Sequence, residues 1–173
     1  MIEIQRGRVT LPRYPFPTLK TRVLERSDIV EVVDWFPPVI VTTAGEVLLI
    51  SRTELDELKA LCTHQNVPFV QRYDVWSDLL DPFLDTEFSP EFQDANRQRL
   101  NQRGNLTDVE IDSIRAEVEE EMLQLSGLAW EWLHYSLADV LSAMKPKTWI
   151  GRQKWIAFYV RAMEISMRAN NAK

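Results

Sequence analysis

From Ile111 to Met144 the apolar side chains recur at steps of three or four residues: Ile111, Ile114, Val118, Met122, Leu125, Ala129, Leu133, Leu137, Val140 and Met144. That spacing keeps a stripe on one face of an α-helix, whereas a strand needs alternation by two. The stripe holds phase across Ser126-Gly127, so it predicts one long helix or two helices with a kink at that glycine. Thr107-Asp108-Val109-Glu110 opens it as a capping box, and Pro146 ends it. Before it, Ser89-Pro90-Glu91 starts a helix that stops at Gly104-Asn105. Asp74 to Leu80 predicts one or two helical turns, and Asp81-Pro82 offers a further start with Asp81 as N-cap. A last helix over about 148–169 is expected to put Trp149, Ile156, Val160, Met163 and Met167 on one face.

The first part of the chain has a different pattern. Residues 28–51 carry β-forming runs: Ile29, Val30, Val32 and Val33, then two segments flanking Ala44-Gly45 as a hairpin. Trp35-Phe36-Pro37-Pro38 interrupts them, since proline cannot donate to a ladder. Thr53 is expected to cap a helix with Leu55, Leu58, Leu61 and Cys62 on its inner face, ending near His64 to Asn66. Val67 to Val70 predicts a returning strand. Residues 1–26 hold Pro12, Pro15 and Pro17 among cations and aromatics, which forbids helix and predicts an extended basic arm. The expected organisation is arm 1–26, small α/β subdomain 27–72 and helical subdomain 73–173. The fold class is α+β: a small strand-rich N-terminal α/β part with hairpin and helix, then a helical C-terminal half with one long or kinked helix.

Charge is sorted along the same axis. Residues 1–26 carry net +4, residues 27–144 net −16 and residues 145–173 net +6, within an overall −6. The segment Thr107 to Leu125 has seven acids and one base, Arg115. Opposite fields attract within one molecule or between copies. Six tryptophans add contact potential: Trp130 and Trp132 lie two apart, about 200° around a helix, so both cannot face one core. With Trp149, Trp155, Arg152 and Lys154 they are the expected interaction residues.

Chemistry-bearing patterns are sparse. Asp74, Asp78, Asp81 and Asp85 follow steps of four, three and four, so on a continuous helix they would share a face able to hold a divalent metal. Pro82 works against that continuity. Glu131-x-x-His134 has di-metal spacing but lacks a second copy. Cys62 and His64 are two apart and do not face each other on a helix. No Gly-rich phosphate loop or nucleophile elbow is present. No catalytic set and no cofactor beyond that possible divalent metal is expected. Cys62 is the only cysteine, and the N-terminal residues lack a secretory apolar run, so a soluble cytoplasmic protein with no membrane partner is expected.

The expected function is non-catalytic: protein–protein interaction or assembly, by self-association or within a complex, through oppositely charged helical faces. The first alternative is a metal-dependent hydrolase of phosphorylated substrates using the aspartates. The second is single-stranded nucleic-acid binding by the basic last helix, against the acidic balance of the whole chain.

Overall fold

The computed structural model describes residues 3–5, 8–11, 23–84, 89–126, 134–146 and 151–169. The protein is α+β, with its strands in the N-terminal part and most of its helices in the C-terminal part. Two compact units divide it, Met1–Arg72 and Tyr73–Lys173.

The first unit holds two small sheets. Strands β1 (Glu3–Gln5), β2 (Arg8–Thr10) and β3 (Val23–Leu24) pair antiparallel in that order. Part of the expected arm is therefore a sheet, because Val9, Leu11 and Leu24 supply apolar side chains that bury with Ile29, Val32 and Leu58 in one core. The proline-rich residues 12–20 lie outside the described residues. The second sheet runs β6 (Val47–Leu49), β5 (Val39–Thr42), β4 (Ile29–Val33), β7 (Phe69–Val70). Strand β5 is central and buried along its whole length, which its unbroken Val39-Ile40-Val41 run fits. The β5–β6 hairpin turns at Gly45, whose φ of +79° suits a residue without Cβ. Thr42 Oγ1 accepts the Glu46 N–H at 3.1 Å and fixes the turn. Helix α1 (Leu55–Gln65) crosses over so that β7 returns parallel to β4.

The start of α1 differs from expectation. Ser51, not Thr53, is the capping residue: its hydroxyl accepts the Thr53 N–H, while Glu54 reaches back to the Ser51 N–H at 3.1 Å. This box tightens residues 52–54 into a 3-10 turn before α1 begins. At the other end Asn66 takes the left-handed conformation, and the Arg26 guanidinium collects the carbonyls of Ile29, Gln65 and Asn66 at 2.8 to 2.9 Å. Glu31 and Arg72 form a mostly buried ion pair at 2.7 Å.

The second unit is a helical assembly around a short apolar helix, α2 (Val75–Leu80). Its Val75, Trp76, Leu79 and Leu80 are buried, and it touches the three helices α3 (Pro90–Gln102), α4 (Asp108–Ser126) and α6 (Arg152–Arg168). Ser89 caps α3, with Pro90 in its first turn, and Thr107 with Glu110 closes the capping box of α4. The long apolar stripe is divided: α4 runs to Ser126, Ser136 is extended, and a separate helix α5 (Leu137–Ala143) starts after it. Ser136 and Asp139 form a capping box that begins α5 afresh. Gly127 lies outside the described residues. Asp81 does not cap a new helix; residues 81–83 make only a 3-10 turn with no side-chain cap.

The buried face of α6 is turned from the expected one. Phe158, Tyr159, Ala162, Met163, Ile165 and Ser166 face inward, while Val160 is 39% exposed. The cause is Trp76. Its indole N–H donates to the Ala162 carbonyl at 3.1 Å and to Ser166 Oγ at 3.0 Å, and its ring meets Phe158 edge-on. Small side chains at 162 and 166 admit the indole where larger ones would hold it off. No helix among the described residues is long and apolar enough to cross a membrane.

Candidate functional site

Two arrangements in the helical unit gather the residues that carry charge. The first lies at the end of α2. Asp78 is buried and takes both Nε and an Nη of Arg99, at 2.8 and 2.9 Å, and also the Tyr73 hydroxyl. A two-point arginine contact fixes the plane of a carboxylate. Asp74 accepts the N–H groups of Trp76 and Ser77 as the N-cap of α2. Asp81 accepts from Asn96 Nδ2 at 3.0 Å. Asn96 is fully buried; it also donates to the Asp78 carbonyl at 2.9 Å and accepts from Arg115 at 2.7 Å. Arg115 then caps α2, donating to the Asp78 and Leu79 carbonyls at 3.1 Å. The aspartates thus hold helices together. Burial pushes Asp81 up to about 6, with the adjacent Asp78 charge adding to it. Burial also pushes Asp74 up to about 6, outweighing its two backbone bonds. The Tyr73 hydroxyl is pushed up by burial and by its bond to Asp78.

Among the described residues no group of three or more His, Cys, Asp or Glu is placed to hold a metal ion. Asp85 and Glu131 lie outside them. His134 Nδ1 meets Ser77 Oγ at 3.2 Å near Asp74, so a serine, an imidazole and a carboxylate are neighbours. Acyl transfer also needs N–H groups aimed at a developing oxyanion, and here the first-turn N–H groups of Trp76 and Ser77 already go to Asp74. The arrangement orients a histidine. Cys62 is buried while His64 is exposed, and burial pushes the thiol up, away from the reactive thiolate.

The second arrangement is the seam of α4 and α6, which run antiparallel. Arg168 meets Glu110 at 2.7 Å, and Arg161 pairs with Glu117. Glu110 and Glu117 are seven residues apart, as are Arg161 and Arg168, so both pairs fall on one register of two turns. On the other flank of α4, Arg97 pairs with Asp112 at 2.8 Å and Asp108 at 3.6 Å. Four of the seven acids of this helix are thereby matched inside the unit. Glu119, Glu120 and Glu121 have no cation at ion-pair distance among the described residues. The Thr107 bonds and Arg168 hold the Glu110 carboxyl down to about 2. Between the helices a groove of about 250 Å³ is lined by Val109, Ser113, Ile114 and Ile165, with Arg161 and Arg168 at its charged side.

Of the expected interaction residues, Arg152 and Lys154 are exposed at the start of α6. Trp155 is half-buried, and its indole N–H donates to the Leu141 carbonyl at 3.2 Å. Trp130, Trp132 and Trp149 lie outside the described residues. Arg161 and Arg168, two of the cations of the basic last helix, are engaged with α4. Sequence reasoning missed Asn96, Arg99 and Arg115. Their signal was weak: Asn96 and Leu100, four apart and so on one helix face, are the buried residues of α3, one of them polar.

No family model, no curated protein and no solved structure matches the chain.

Proposed function

We propose that this is a non-catalytic interaction or assembly protein that joins itself or other subunits through its helical unit. The observation that carries the reading is on α4. This helix matches four of its acids to cations on α3 and α6, yet still presents Val109 at 79% and Leu123 at 53% exposure, and near Leu123 the glutamates 119–121 have no cation at ion-pair distance among the described residues. Large exposed apolar side chains rimmed by charge suit a contact surface. The carboxylates of α2, in contrast, are committed to arginine, asparagine and backbone. The lone buried Cys62 supports a reducing, cytoplasmic setting. Native mass spectrometry and sedimentation at low and high salt test the proposal. Multiples of the 20.2 kDa chain, or a stable complex recovered with partners, are expected at low salt and should diminish as salt rises. A chain that stays monomeric at low salt and high concentration, and enters no complex, overturns it.

A further inference from the structure

We propose that the outward ridge of α4 is the seat for a basic amphipathic helix of a partner protein. The inference rests on the interaction reading above and names its surface and partner class. Around α4, Ile111, Ile114, Val118 and Met122 face the core. Asp108 and Asp112 turn to α3, and Glu110 and Glu117 turn to α6. That leaves one exposed ridge, formed by Val109, Ser113, Ala116, Glu120 and Leu123, whose Val109 and Ser113 also border the groove toward α6. Val109, Ala116 and Leu123 fall at intervals of seven, the spacing of a helix-to-helix seam. The seam is about 21 Å long, four turns. Ser113 and Ala116 are small and permit a close backbone approach at its middle, while Val109 and Leu123 stand at the two ends as apolar anchors.

Charge selects the occupant. Helix α4 carries seven acids against one base, so pairing two α4 ridges from two copies would set like charge on like. Glu119, Glu120 and Glu121 lie in the C-terminal half of α4 with no cation at ion-pair distance among the described residues, and the last turn carries no basic residue. A partner with lysine or arginine flanking an apolar stripe supplies the cations these glutamates lack. Glu120, on the ridge itself, would set the partner's register, as a single polar residue does in a helical seam.

The test uses the full-length protein and a labelled synthetic peptide of about 18 residues, with leucines at seam spacing and lysines beside them. A second peptide has the same composition with the leucines scrambled. Fluorescence anisotropy at low salt should show the patterned peptide binding at least about tenfold tighter than the scrambled one. Val109→Gln and Leu123→Gln change no charge and, at exposed positions, should keep the circular dichroism spectrum. Together they should weaken patterned binding by about tenfold or more. Val30→Gln, exposed on β4, should leave binding unchanged. Equal binding of the two peptides, or unchanged binding by the ridge variant, overturns the assignment. If that variant binds the patterned peptide as wild type does while wild type assembles at low salt, the ridge assignment falls alone. If wild type neither assembles nor binds the peptide, both readings fall.

Discussion

Asn96 shows how much a single uncharged side chain can organise. It is fully buried, and its amide joins the Asp78 carbonyl, the Asp81 carboxyl and the Arg115 guanidinium, so it connects α2, α3 and α4. Asn96→Ala would leave all three groups short of a partner in a low-dielectric place. A loss of about 3 kcal/mol in urea unfolding is expected. Asp81 gives a pH prediction. Its folded value, about 6, lies above the ordinary 3.8, so the folded state binds its proton more tightly than the unfolded chain does. The stability this contributes is present at acid pH and is lost as pH rises from about 4 through about 6. Asp74 acts in the same window and the same direction. Asp81→Asn should therefore shrink, without abolishing, the fall of the urea midpoint over that range. Glu110, held near 2, acts oppositely: what it contributes is present above its ordinary 4.5 and is lost as pH falls toward 2.

At the level of elements, the turn between α3 and α4 is unusually tight against its neighbours. A Cβ built on Gly104 would lie 2.7 Å from the Leu100 carbonyl oxygen and 2.9 Å from Val75 Cγ2. Gly104→Ala should cost about 1–3 kcal/mol, read as a lower urea midpoint, because backbone on one side cannot yield. The stop at Gly104 was legible in the sequence, as were the starts of α3 and α4, because caps and prolines act within a few residues. The inner face of α6 was not. Hydropathy ranks Val160 and Met167 above Ala162 and Ser166, but Trp76, some ninety residues earlier, needs the small pair. The surroundings of the aspartate row were hidden for the same reason: the groups that bind Asp78 and Asp81, Arg99 and Asn96, come from another helix. Strands β1 to β3 were too short to show a period, and only their tertiary pairing defines them.

Across the whole molecule, the sorting of charge is real but its consequence is modest for stability. The seam pairs Glu110–Arg168 and Glu117–Arg161 have side chains about 36 to 46% exposed. Exposed pairs of this kind contribute about 0–1 kcal/mol each. Raising salt from about 20 to about 500 mM should thus shift the unfolding midpoint of the monomer little, while weakening any association between molecules markedly. A large fall in monomer stability with salt would show that these ion pairs matter more than their exposure allows. The overall α+β division was legible because the hydrophobic period changes along the chain, from β-forming runs around Ile29 to Ile50 to helical steps after Thr107.

The equal spacing of the seam pairs has one more consequence. Lys154 lies seven residues before Arg161, so sliding α6 along α4 by one heptad, about 10.5 Å, would exchange the partners and still match two glutamates to two cations. Electrostatics alone leaves the docking of these helices degenerate. The tie is broken at Trp76: the same slide would replace Ala162 and Ser166 beneath its indole by Trp155 and Tyr159, whose rings leave no room for it and shut it off from the main-chain carbonyl, while the serine hydroxyl is lost. A neutral contact, one indole on two small residues, therefore decides which of two electrically equivalent alignments the chain adopts.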